Sequence, residues 1–210
     1  MAFENVDKTI PVYVPCNTAE AYQNAEGWNE FTNFIEMCEV SQIIPLSAGW
    51  NWFSTNVDIT LEDLQNALVD ALPNTSITIK SKDNGTTTYN GSIWRGQLNT
   101  LEVTQMYRIS VSTVCEITIE GMPINPAEHP ITISNGANWI GFPLSESMSL
   151  SNAFAGFAVS GDQVKGKSAS ATYNGTQWRG TLNTLVPGQG YRYISNTQGN
   201  RTLIFPASAK

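Results

Sequence analysis

Thr88-Tyr-Asn-Gly-Ser-Ile-Trp-Arg-Gly-Gln-Leu-Asn-Thr-Leu101 returns without a gap as Thr172-Tyr-Asn-Gly-Thr-Gln-Trp-Arg-Gly-Thr-Leu-Asn-Thr-Leu185, with 11 of 14 positions identical. Self-similarity of this kind marks a duplicated structural unit. The register continues into Gln105-Met106-Tyr107-Arg108 opposite Gln189-Gly190-Tyr191-Arg192. Upstream, Gly49-Trp50-Asn51-Trp52-Phe53 matches Gly136-Ala137-Asn138-Trp139-Ile140 after a three-residue shift. Two units follow, 43–122 and 123–210, joined by Met122-Pro-Ile-Asn-Pro-Ala-Glu-His-Pro130. The prolines of that linker favour extended backbone and discourage helix, so it reads as short and stiff.

Within unit one, residues 50–55 read as a strand. Thr60 then precedes Leu61, Leu64, Ala67, Leu68, Ala71 and Leu72, a helical stripe that Pro73 ends. Thr60 and Asp63 resemble an N-cap pair, although a capping box ordinarily uses Glu or Gln. The unit-two counterpart, 150–157, carries Ala153, Phe154 and Phe157 and is weakened by Gly156. After each helix the period becomes two, as in Ile77 and Ile79, Tyr107, Ile109 and Val111, and Ile117 and Ile119. Asn90-Gly91 and Asn174-Gly175 predict type I′ hairpin turns, with Tyr89 and Trp94, and Tyr173 and Trp178, on adjacent strands. The expected fold is mainly β with short helices (α+β): two tandem repeats of a small antiparallel sheet over one helix each. Trp52, Trp139, Tyr107 and Tyr191 are expected in a shared aromatic core.

The first 42 residues match neither unit. Residues 11–15 read as extended, Thr18 as the cap of a short helix 19–25, and Trp28, Phe31 and Phe34 as an aromatic cluster too small to stand alone. Cys16 and Cys38 are the one cysteine pair within a segment. With Cys115 making the count odd, three free thiols are expected. No apolar run reaches the ~20 residues that span a bilayer. The first residues hold neither a basic leader nor an apolar stretch, so any secretion signal is expected upstream.

Eighteen acids against eleven bases give a net charge of −7, which repels a phosphate backbone and argues against nucleic acid as partner. The one histidine, His129, sits in the linker without a Gly-x-Ser-x-Gly, so Ser-His-Asp catalysis has no support. One histidine and scattered cysteines do not build a transition-metal site. Asp58, Glu62 and Asp63 lack EF-hand spacing and read as a solvated helix start. No phosphate loop or dinucleotide fingerprint occurs, so no cofactor is expected. A glycosidase would need paired carboxylates, and none recurs in both copies of the motif. Five Asn-x-Ser/Thr sequons, at Asn74, Asn84, Asn90, Asn174 and Asn200, include three Asn-Gly turns. The remaining candidates are Trp94, Arg95, Trp178 and Arg179. Either each indole and guanidinium together form a glycan-binding surface, or the tryptophans fill the core while the arginine stems lie across aromatics. The core reading is favoured.

Ile10-Pro-Val-Tyr-Val-Pro-Cys-Asn-Thr-Ala-Glu-Ala-Tyr22, followed by Ala25-Glu-Gly-Trp-Asn-Glu-Phe-Thr-Asn-Phe34, resembles the end of a repeat in BspA-type leucine-rich-repeat surface proteins of Bacteroidetes. There it closes a repeat array. The two units resemble C-terminal modules of secreted bacterial proteins, with a Gly-Trp-Asn strand near the start and Pro-Gly-x-Gly-Tyr near the end. Unit two keeps Pro187-Gly188-Gln189-Gly190-Tyr191 but has Ala137, whereas unit one keeps Gly49-Trp50-Asn51 but has Met106 where unit two has Gly190. The resemblance implies a leucine-rich-repeat-like cap over 1–42, a non-catalytic module at the cell surface or outside the cell, and host or bacterial glycans or proteins as partners.

Overall fold

The computed structural model describes residues 3–206, and the chain is mostly β with three short helices. It opens with β1 (Val12–Pro15), α1 (Ala19–Asn24) and β2 (Phe34–Met37), and β1 and β2 pair in parallel. Cys16 and Cys38 are disulfide-bonded, with Cα atoms 4.7 Å apart, which overturns the expectation of three free thiols; only Cys115 is free. Both cysteines directly follow strands that pair in register, Pro15 opposite Met37, so pairing itself brings them within bonding reach. Closing this loop stabilises the segment by on the order of 3 kcal/mol, support that its cluster of Phe3, Tyr22, Trp28 and Phe31 needs. Thr18 precedes α1 but does not cap it: its hydroxyl donates to Pro15 O at 2.6 Å, and Glu36 accepts from Ala19 N instead.

The next elements are β3 (Val40–Leu46), β4 (Gly49–Phe53), β5 (Val57–Asp58), α2 (Leu61–Ala71), β6 (Ser76–Lys80), β7 (Thr86–Asn90), β8 (Trp94–Gly96), β9 (Tyr107–Val111) and β10 (Cys115–Pro123). β3 begins ahead of the 42/43 boundary, and β10 runs one residue past 122/123. Asp63 closes a capping box despite its short side chain, accepting from Thr60 N at 2.8 Å while its own N–H donates to Thr60 Oγ1 at 3.2 Å. Leu61, Leu64 and Leu68 are the buried stripe of α2, in a core with Phe53, Ile77, Ile79, Tyr107 and Ile109.

The chain continues through a 3-10 turn at Pro126–Glu128, a correction to the extended linker: Asn125 Oδ1 accepts from Ala127 N, and Pro126 occupies the first helical position, where its missing N–H costs nothing. Then come β11 (Ile131–Ile133), β12 (Gly136–Ile140), β13 (Met148–Ser149), α3 (Leu150–Ala153), β14 (Gln163–Lys165), β15 (Ser170–Tyr173), β16 (Trp178–Gly180), β17 (Thr184–Leu185), β18 (Tyr191–Ser195) and β19 (Arg201–Leu203). α3 is a single turn, shorter than the expected 150–157, and Gly156 sits beyond it at φ 69°. A second core gathers Ile140, Phe142, Phe154, Val164, Tyr191, Tyr193 and Phe205.

Each half carries a five-stranded antiparallel sheet, ordered β4-β9-β6-β7-β8 and β12-β18-β14-β15-β16. Matched by position in the chain, the two orders coincide. A smaller antiparallel sheet accompanies each five-stranded one, β3-β10-β5 in the first half and the pair β11-β19 in the second.

The Asn-Gly turns differ from type I′. Asn90 N–H bonds to Ile93 O, so the central residues are Gly91 and Ser92, and only the glycine has positive φ. Asn90 Oδ1 instead accepts from Ser92 N and Ile93 N, both at 3.0 Å; Asn174 does the same for Thr176 and Gln177. Asparagine serves here by its side-chain acceptor rather than by its tolerance of left-handed backbone.

Candidate functional site

The repeated motif lies on the outer hairpin of each sheet. Tyr89 pairs with Trp94 and Tyr173 with Trp178, the ring centroids 5.3 Å apart in both. Trp94 and Trp178 are half-buried and packed on their cores, Trp178 also meeting Phe154 at 5.6 Å. Successive strand residues point to opposite faces, so Arg95 and Arg179 project from the other side of the sheet, opposite Thr88 and Thr172. Neither Trp94 with Arg95 nor Trp178 with Arg179 forms one surface. The glycine after each arginine is structural: at Gly96 (φ 154°) a Cβ would stand 2.1 Å from Thr86 O, and at Gly180 (φ 152°) 2.1 Å from Ser170 O. Leu98 and Leu182, two residues on, are buried.

What the face of Arg95 gathers is different from the motif. Reading the ladder across β4, β9, β6 and β7, one outward row runs Trp52, Arg108, Lys80, Thr86, and the next runs Trp50, Ser110, Thr78, Thr88, Arg95 on β8. The second sheet repeats this as Trp139, Arg192, Lys165, Ser170 and as Ala137, Ile194, Gln163, Thr172, Arg179. Trp52 and Trp139 are therefore half-buried on the outer faces, a correction to their expected place in the core, whereas Tyr107 and Tyr191 are fully buried as expected. No outward strand position of either sheet is acidic. Among the described residues, none of Lys80, Arg95, Arg108, Lys165, Arg179 and Arg192 has a carboxylate partner; the ion pairs are Lys8–Glu30, Lys82–Asp83 and Arg201–Asp162. The Arg108 guanidinium lies 4.8 Å over the ring of Trp50, and the Nε atoms of Arg108 and Arg192 are both buried without a hydrogen-bond partner. The signal for this face was present in the alternation of β6, β9, β14 and β18, but only a strand order brings its residues together.

The halves meet in a reciprocal seam. Gly190 N donates to Trp52 O at 3.1 Å and Ser54 N to Gly188 O at 3.2 Å; in return, Gly141 N donates to Thr104 O at 2.9 Å. Ser54 Oγ donates to Gln189 O and accepts from Phe142 N. Two clefts flank the seam. One, of about 520 Å³, includes Asn51, Trp52, Lys167, Ser168 and Gln189 in its lining; the other, of about 420 Å³, includes Asn138, Trp139, Lys82, Asp83 and Gln105. Asn51 and Asn138 each brace a tight turn, bonding Ser47 and Ser134 through both amide atoms, and Lys167 Nζ crosses the seam to Asn51 Oδ1 at 3.1 Å. The second cleft also holds Glu102, but Asp83 is paired with Lys82 and Glu102 accepts from Gln105, so the acids are engaged locally.

The strongest polar network is interior. Burial pushes the Asp162 carboxyl up, but the N–H groups of Asn196 and Val159, the Tyr193 hydroxyl and Arg201 outweigh it and hold it below the usual carboxylate range. Tyr193 is raised, first by burial and then by that carboxylate. The Asp162 carboxylate is fully engaged by these donors, while Arg201 Nε is buried without a hydrogen-bond partner, and none of the set lines either cleft at the seam. His129 ends the 3-10 turn of the linker, and Asp63 is occupied by its capping box, with Asp58 and Glu62 exposed. Cys16, Cys38 and Glu36 cluster within ligand distance of one another, but the bridge consumes both thiolates a metal would need. Searches against protein families, characterised proteins and solved structures found no match to this chain.

Proposed function

We propose that the chain is a non-catalytic, extracytoplasmic module of a bacterial surface protein of the BspA type, acting as a spacer and interaction domain that displays an upstream repeat array. The observation that carries this reading is the Cys16–Cys38 bridge, because structural disulfides persist in oxidising compartments. The parallel pairing of β1 and β2 around a helix supports a cap-like role for the first segment. The seam supports the spacer role: reciprocal hydrogen bonds hold the halves to each other and favour transmission of position over hinge motion. No helix among the described residues is long and apolar enough to cross a membrane.

Thiol titration under denaturing conditions, paired with surface labelling of the source cells, tests the proposal. One reactive thiol, that of Cys115, and labelling on intact cells are expected. Three thiols in protein from freshly lysed, alkylated cells would refute it.

The earlier form of the glycan reading, an indole and a guanidinium side by side in the repeated motif, loses its geometry because the sheet separates them. The outer faces give the interaction role a different basis.

A further inference from the structure

We propose that the outward faces of the two five-stranded sheets bind an acidic polysaccharide, with Lys80, Arg95 and Arg108 on one face and Lys165, Arg179 and Arg192 on the other meeting its carboxylate or sulfate groups. This rests on the interaction role proposed above and names its ligand class.

Charge distribution is the first support. Seven of the 18 acids and only one of the 11 bases fall in residues 1–42, leaving eleven acids and ten bases for the rest. Six of those ten bases stand on the two outward faces, where no acid accompanies them. The net charge of the chain thus conceals two local cationic surfaces.

Recurrence at matched register is the second support. Each sheet sets a lysine directly opposite an arginine on the adjacent strand, Lys80 with Arg108 and Lys165 with Arg192. Like charges opposite each other destabilise a sheet, and an anion lying between them would relieve that repulsion. Within the repeated motif, tyrosine and tryptophan pack, asparagine and the first glycine make the turn, and the second glycine admits a carbonyl. The arginine is the large side chain with no structural partner in unit one or ion pair in either.

The geometry favours sugars over nucleic acid. Strands lie ~4.8 Å apart, so Arg108 and Lys80 are ~5 Å from each other, and β8, which carries Arg95, lies three strands or ~14 Å from β9. Duplex DNA would bring about eight phosphate charges over that span, far more than three cations match. A polysaccharide with a charge on each sugar or disaccharide matches the spacing. Between the cations lie the paired hydroxyls of Thr78 and Thr88, 3.3 Å apart, beside the part-exposed indole of Trp50 that carries the Arg108 guanidinium.

The test uses the whole chain and three probes: polygalacturonate, which has a carboxylate on every sugar, neutral dextran, and a thymidine oligonucleotide. Affinity electrophoresis at low salt should show retardation by polygalacturonate but not by dextran, and weaker retardation by the oligonucleotide. The quadruple variant K80A/R95A/K165A/R179A should weaken polygalacturonate binding at least tenfold, while Lys8→Ala leaves it unchanged. The single-face variants K80A/R95A and K165A/R179A should each lose part of the binding, which keeps the test open if the quadruple variant misfolds. No retardation by polygalacturonate, equal retardation by the oligonucleotide, or folded variants that bind as the parent does would overturn the proposal. Thiol titration and surface labelling are indifferent to all of these, so its failure is distinguishable from failure of the surface-module reading.

Discussion

Gly190→Ala is the most informative single substitution in this chain. The added Cβ would stand 2.1 Å from Met106 Cγ, 2.8 Å from Met106 Cβ and 2.8 Å from Phe53 O. Carbon atoms in contact prefer ~3.5–4.0 Å, so the methionine must leave its rotamer or the seam must open. Met106 is fully buried, with little room to move. Overpacking of this kind costs ~1–3 kcal/mol. Met106→Ala alone leaves a cavity and should cost ~2–5 kcal/mol. In the double variant the clash with Cγ is gone, so the loss should fall short of the sum by ~0.5–3 kcal/mol. Urea unfolding followed by tryptophan fluorescence measures all four proteins. If the two losses add to within ~0.5 kcal/mol, the usual result for distant sites, the pre-β18 loop does not pack on Met106 and the seam described above is wrong.

Two further expectations follow from the same geometry. Trp94→Ala should cost roughly 2 kcal/mol, about half the penalty of a fully buried indole, whereas Arg95→Ala should stay within ~0.5 kcal/mol; equal losses in thermal unfolding would contradict their placement on opposite faces. Burial pushes the phenols of Tyr107 and Tyr191 up to about 12, against the lowering effect of the Glu102 and Val186 N–H groups that donate to them. The folded state therefore holds these protons more tightly than the unfolded chain. The stabilisation is whole below pH 10 and is lost as pH rises from 10 toward 12, on the order of 2–3 kcal/mol for each phenol at ~1.4 kcal/mol per pH unit. Phenylalanine at both positions should flatten that alkaline slope in unfolding experiments.

Much of the architecture was legible because the duplicated segment is a strand–turn–strand whose side chains have local duties. Tyr89 and Trp94 fall opposite each other by turn length alone, and the stripe of α2 follows from spacing. The turn type was not legible, because Asn-Gly is compatible both with left-handed asparagine and with an asparagine side chain that caps the turn. The disulfide was hidden for a different reason: Cys16 and Cys38 are joined by the parallel register of β1 and β2, which no local pattern encodes. The candidate site failed at the pleat. Trp94 and Arg95 are adjacent in sequence and therefore opposed in space, while Arg108 and Lys80 are remote in sequence and therefore free to be opposite each other.

The departures between the halves also acquire a physical reason at the seam. Where two like units pack reciprocally, residues near the line of symmetry face their own counterparts, and an identical pair must fit itself. Met106 and its counterpart Gly190 meet there, and a side chain on both would overlap, as the 2.1 Å approach shows. Ser54 and its counterpart Gly141 differ in the same way: the serine hydroxyl bridges Gln189 O and Phe142 N, whereas a Cβ on Gly141 would fall 2.2 Å from Val103 O. Away from that line the equivalents are kept, as with Asn51 and Asn138, Lys82 and Lys167, and Gln105 and Gln189 in the two clefts. The loss of glycine at Met106 is therefore what a covalently joined pair can do that two identical chains cannot. One half supplies the knob and the other the hole, and the order of the halves becomes fixed by packing as well as by the linker.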